Sequence, residues 1–108
     1  MRKRKFVVIK DDKGNIQIRF GIVELHYELF DENKYKCLGG GLFDTDCCEE
    51  QIHLHGKSID YGYVDWNKIN PGEIHAEEDF NGFQVLWGDP SEDGFIETNI
   101  TEKFKFDL

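Results

Sequence analysis

The chain has 108 residues, 39% of them apolar, with nine Phe, four Tyr and two Trp. That is enough to build the core of one domain spanning residues 1–108 and too little for two, and the aromatic content argues against intrinsic disorder. The net charge of −9, from 22 acidic and 13 basic residues, disfavours a nucleic-acid backbone as partner.

No apolar run reaches the length of a membrane-spanning helix, so no membrane partner is expected. Arg2, Lys3, Arg4 and Lys5 gather four cations at the start of the chain. This is either a solvated, frayed start or a local positive spot suited to an anionic group. No apolar signal core follows them, so a cytoplasmic location is expected. The three cysteines, Cys37, Cys47 and Cys48, are odd in number and two are adjacent. That is a poor disulfide framework and fits a reducing compartment.

Phe6-Val7-Val8-Ile9 reads as a buried strand. Asp11-Asp12-Lys13-Gly14-Asn15 is a turn, and Ile16, Ile18 and Phe20 alternate in the strand that returns from it. Residues 21–30 fit helical and strand spacing equally well. Their short length and the flanking turn signals favour a strand, with Glu24, His26 and Glu28 on one face. Residues 35–43 read as a strand interrupted by Gly39-Gly40-Gly41. Three consecutive glycines are tolerated where a backbone bends sharply or another group comes close.

Residues 44–50 read as a polar turn and residues 51–55 as a strand with Ile52 and Leu54 opposite His53 and His55. A glycine-bounded loop, 56–62, follows. Residues 65–69 suit a helical turn or short helix, ended by Asn70-Pro71-Gly72. Residues 73–79 can be helical or loop, Asn81-Gly82 is a turn, 83–87 a strand, 88–94 a loop and 95–106 a β-rich run. The fold expected from this pattern is a β-rich α+β domain: one mainly antiparallel sheet with one or two short helices.

Three constellations could carry chemistry. Successive backbone N–H groups in the 56–62 loop can form an anion-holding concavity, with the Ser58 hydroxyl as a further donor. His26 could serve it as a general base or nucleophile. His53 and His55 point the same way along a strand, near Cys47, Cys48, Asp44 and Asp46, and zinc takes such ligands. Adjacent cysteines would diverge, however, and no C-x-x-C spacing exists, so no metal site is expected. The acidic stretch around His75 reads as solvated surface.

The segment Cys37-Leu38-Gly39-Gly40-Gly41, the spacer to Ile52-His53, and the loop Gly56, Ser58, Tyr61, Gly62 resemble the protein phosphohistidine phosphatases of the janus/ocnus type. The resemblance extends more loosely to Lys5-Phe6-Val7-Val8-Ile9, to Glu24-Leu25-His26 and to Phe83-Gln84-Val85-Leu86-Trp87. It implies that His26 is the catalytic base, that Lys5 contacts the phosphoryl group, and that Ser58, Ile59 and Asp60 supply backbone N–H donors. It implies no metal and no other cofactor, with a phosphorylated protein or a small anionic ligand as partner. The alternative is a non-catalytic anion- or protein-binding module on the same fold. Three features depart from the family. The segment between His26 and Cys37 is shorter, Leu42 stands where the animal phosphatase carries Arg, and Asp60 replaces a small apolar residue.

Overall fold

The computed structural model describes residues 2–76, 82–88 and 97–106. Its centre is β1 (Lys3–Lys10), whose Phe6, Val7, Val8 and Ile9 are all fully buried. A strand buried on both faces must sit inside a sheet rather than at its edge. β2 (Ile16–Val23) returns beside it in an unbroken antiparallel register from Lys10↔Ile16 to Lys3↔Val23. The turn between them is held by Asp11, whose carboxylate accepts the N–H groups of Lys13 and Asn15, each at 2.9 Å.

β3 (Lys36–Asp46) pairs with the other side of β1, with an irregularity in register between Val8 and Ile9. β4 (Gln51–His55) forms a hairpin with β3. The turn between them has Asp46 accepting the N–H groups of Cys48 and Glu49, each at 3.1 Å. β5 (Ile74–Ala76) runs parallel to β2, β6 (Gln84–Trp87) parallel to β4, β7 (Thr98–Asn99) antiparallel to β6, and β8 (Phe104–Phe106) parallel to β5. The strand order is β7-β6-β4-β3-β1-β2-β5-β8.

This architecture corrects the expected fold. The sheet is mixed, and among the described residues there is no α-helix, only short 3-10 turns. The hairpins were readable because tight turns carry local signals. The parallel pairs join segments far apart in the chain, and such pairings leave no local signature. The helical turn expected over 65–69 is a single 3-10 turn, Trp66–Lys68, in which the Asp65 side chain accepts the Asn67 N–H. Residues 73–79 contain strand β5 rather than helix or loop. Residues 77–79, Asn81 of the expected turn, 89–94 of the expected loop and 95–96 of the final run lie outside the described residues.

Residues 21–30 are also corrected. The strand stops at Val23, and His26–Leu29 forms a 3-10 turn. Glu24, His26 and Glu28 therefore do not share a strand face. The local cause is Glu28, whose carboxylate accepts the N–H groups of Glu24 at 3.0 Å and Leu25 at 2.7 Å. Arg19, lying 4.9 Å from the centre of the Tyr35 ring, donates to the Leu29 carbonyl and ties the far end of the turn to β2.

The main core lies on the face of Phe6 and Val8. Val64, Trp66, Ile69, Ile100 and Phe104 join the buried cluster there, and Trp66 stacks on Phe6 at 6.3 Å. The opposite face carries a smaller cluster of Val7, Ile9 and Phe30, packed by Leu29, Tyr35, Cys37 and Tyr61. Among the described residues no helix is long and apolar enough to cross a membrane.

Candidate functional site

The site lies on the second face, at the Lys3 end of β1. Side chains two apart on a strand share a face, so Lys3 and Lys5 project on the same side as Val7. Lys5 pairs with Leu42 of β3 and with Gly21 of β2. The 3-10 turn bearing His26 lies across these strands, and glycines make room for it. A Cβ at Gly40 would come within 2.5 Å of the Phe6 carbonyl oxygen and 3.1 Å of His26 Cδ2, and one at Gly21 within 2.6 Å of Leu29 Cδ2. Close approach, the second purpose suggested for the triple glycine, is therefore what the structure contains. The strand continues through it, but the register against β1 skips Leu38 beside Gly39, whose φ is +139°, so the backbone irregularity is present as well.

His26 is buried, with 6% of its surface exposed, and its Nε2 lies 2.8 Å from the Gly41 carbonyl oxygen. A carbonyl only accepts, so Nε2 carries the hydrogen and Nδ1 of the neutral ring holds the lone pair. With Nε2 and Cδ2 both against β3, Nδ1 occupies the corner of the ring opposite that strand. Burial holds the His26 pKa below its ordinary value of 6.5. Lys5 adds to this, while the Gly41 carbonyl and Asp60 oppose it. The ring is thus neutral near pH 7, as a general base must be.

The loop after β4 closes the other wall. Ser58 is 1% exposed and acts as its internal post. Its N–H donates to the Gly40 carbonyl at 3.0 Å, its carbonyl accepts the Gly62 N–H at 2.8 Å, and its Oγ accepts the Tyr61 N–H at 3.2 Å. The Gly40 N–H in turn donates to the Gly62 carbonyl at 3.1 Å. The Ser58 N–H is therefore engaged within the scaffold rather than offered to a ligand, while its Oγ, used there as an acceptor, keeps its own hydrogen to donate. The N–H groups of Ile59 and Asp60 have no partner among the described residues. Tyr61 anchors the loop from behind, its ring 5.5 Å from Phe30 and its hydroxyl donating to Glu32. Partial burial and the Glu32 carboxylate both push the Tyr61 pKa up, so the phenol stays protonated.

Together these elements enclose a cleft of about 210 Å³ lined by Lys3, Lys5, Leu25, His26, Leu42, Lys57, Ile59 and Asp60. Of the residues expected from the sequence, Lys5, His26, Ile59 and Asp60 meet here, and Ser58 supports them from beneath. Lys3 and Lys57 were not expected as lining residues. The strand alternation already placed Lys3 beside Lys5, whereas Lys57 reaches the cleft only through the path of the loop. The Lys5 ammonium donates to the Glu24 carbonyl, steadying the entry to the His26 turn, and it has further N–H donors to offer. Two larger hollows, of about 500 and 600 Å³, lie elsewhere. Neither contains a histidine, so chemistry rather than volume selects the smaller cleft.

The remaining histidines do not converge. His53 pairs with Glu97 at 2.6 Å and His55 with Asp44 at 3.0 Å, while Cys47 and Cys48 are exposed on the turn. Among the described residues no three His, Cys, Asp or Glu side chains gather as a metal-holding group. His75 is exposed on β5. Comparison with protein-family models, with curated proteins and with solved structures found no match.

Proposed function

We propose that this cleft is the active site of a metal-independent phosphatase acting on phosphohistidine or a related phosphoramidate. The observation that carries the reading is His26 on the wall of a lysine-lined cleft, its Nε2 bonded to the Gly41 carbonyl so that the neutral ring keeps its lone pair on Nδ1. The resemblance of residues 37–62 to the janus/ocnus phosphatases supports the same substrate class.

In this reading a water molecule attacks phosphorus and passes its proton to His26 Nδ1. The P–O bond forms as the P–N bond breaks, and the leaving nitrogen keeps the electron pair. Lys3, Lys5 and Lys57, with the Ile59 and Asp60 N–H groups, hold the phosphoryl oxygens. Fixed donors aimed at developing charge, rather than covalent chemistry, supply most of the acceleration in such transfers. The three free thiols favour a reducing compartment, and a cytoplasmic location is part of the proposal.

The test is phosphate release from a phosphohistidine-bearing protein in the presence of EDTA. His26→Ala should lower the rate by about 100-fold or more, the scale of general base catalysis. Equal rates for the two proteins would remove His26 from the mechanism. A second reading, a binding module that holds an anion without turning it over, is favoured by the carboxylate of Asp60 on the cleft wall. Phosphate-induced shifts of the Ile59 and Asp60 amides without turnover would select it.

A further inference from the structure

The hollow of about 600 Å³ lies at the other end of β1 from the His26 cleft and on the other face of the sheet. Lys10 shares the face of Phe6 and Val8, and it stands directly opposite both Ile16 of β2 and Lys36 of β3. Like charges directly opposite one another destabilise a sheet. Among the described residues neither Lys10 nor Lys36 has an acidic partner to relieve this. Lys68, from the 3-10 turn after the 56–62 loop, lines the same hollow. Two acids line it as well, and both are engaged in turns. Asp65 accepts the Asn67 N–H and lies 3.9 Å from Lys68, and Glu73 accepts the Asn70 N–H at 2.9 Å. A small positive surplus is left at the Lys10–Lys36 pair. The rest of the lining includes Ile16 and Ile69, both part of the buried core, and the half-buried Leu38.

We propose that this hollow is a second ligand site, taking a small carboxylate with an apolar body: the carboxylate lies between Lys10 and Lys36, and the hydrocarbon part lies against Leu38, Ile16 and Ile69. Its volume is in the range of small-molecule sites, and its mixture of apolar lining with a few charged groups is typical of them. The anion relieves the repulsion between the opposed lysines, so part of the cost of placing them there is recovered on binding. A singly charged anion fits better than a dianion, because Asp65 and Glu73 oppose each added negative charge. The site shares no lining residue with the His26 cleft, so it stands or falls independently of the phosphatase reading.

The experiment titrates the full chain with octanoate and follows the backbone amides by NMR. Octanoate should shift the amides of Lys10, Lys36, Leu38 and Ile69. Octan-1-ol, which has the body without the charge, and acetate, which has the charge without the body, should each bind about tenfold more weakly or worse. Lys10→Gln and Lys36→Gln, both at exposed positions that tolerate the change, should each weaken octanoate by about two- to fivefold, the range of a screened ion pair. Shifts confined to the His26 cleft would overturn the proposal. So would octan-1-ol binding as tightly as octanoate, or unchanged affinity in both lysine variants. Tighter binding of inorganic phosphate than of acetate at these amides would overturn the assignment to a singly charged anion.

Discussion

Neighbouring residues of β1 face two differently built environments. Phe6 and Val8 look onto a cluster of aromatic and branched side chains that includes Val64, Trp66, Ile69, Ile100 and Phe104. Lys5 and Val7 look onto one short 3-10 turn and one loop, seated where the sheet offers Gly21 and Gly40 instead of side chains. The first face gains its stability from buried apolar area, with rings meeting at 4.9 to 6.5 Å. The second relies on backbone contact and a few directed hydrogen bonds, and it leaves a gap in its cover. Such a gap is what a site needs, since a fully packed face has no room for a ligand.

The difference can be broken most forcefully from the core side. Phe6→Ala removes a fully buried ring that packs against Phe20 and Trp66, and should cost about 4 kcal/mol. Val7→Ala, one residue along and equally buried, should cost about 2 kcal/mol, since it deletes two methyl groups beneath a thinner cover. Urea denaturation of both variants checks the ratio. If Val7→Ala proves as costly as Phe6→Ala, the second face is a core in its own right and the contrast between the faces is lost.

The glycines offer a finer test on the site face alone. Gly40→Ala would drive a Cβ into the Phe6 carbonyl and against His26, and backbone cannot step aside as a side chain can. We expect a loss of about 3 kcal/mol, at the upper end for overpacking. Gly21→Ala clashes with the terminal methyl of Leu29, which can rotate, and touches Val23 at an ordinary contact distance, so it should cost about 1 kcal/mol. Thermal or urea melts of the pair would decide this. Equal penalties would mean that the β1 backbone at Phe6 yields as readily as the Leu29 side chain.

These contrasts also explain what could be read in advance. The β1–β2 and β3–β4 hairpins were legible because Asp11, Gly14 and Asp46 are turn residues with local roles. The strand 51–55 was legible through its alternation, and 83–87 through the turn signals on either side of it. The turn bearing His26 was not, because Val23, Leu25, Tyr27 and Leu29 alternate as a strand does and only the tertiary seat over Gly21 and Gly40 overrides them. The parallel partners of β2 and β4 come from distant segments that no local pattern links. In the cleft, Lys5, His26, Ile59 and Asp60 are lining residues that the family resemblance also singles out. The inward use of the Ser58 N–H was not legible, since it depends on the position of Gly40 across the sheet.

The smallest expected effect is also specific to the site face. Burial, assisted by Lys5, holds the His26 pKa below 6.5 despite the Gly41 carbonyl and Asp60, so the unfolded chain binds the proton more readily than the folded one. Stability then rises with pH wherever the unfolded state carries more protons. The contribution of His26 is complete above its ordinary pKa of 6.5 and is lost as pH falls from there through the folded pKa. His26→Gln keeps an N–H for the Gly41 carbonyl but cannot titrate. Urea midpoints measured between about pH 7.5 and about pH 5.5 should therefore fall less steeply in His26→Gln than in wild type. Phe6→Ala, on the other face, should keep the wild-type slope while lowering every midpoint. Identical slopes in wild type and His26→Gln would mean that the ring is not held neutral by its surroundings. The acid limb of kcat/KM for phosphohistidine should follow the same proton, because protonation at Nδ1 removes the lone pair that takes the proton from water. One residue would then contribute to the pH dependence of both the fold and the proposed reaction, through the neutral ring that bonds to Gly41.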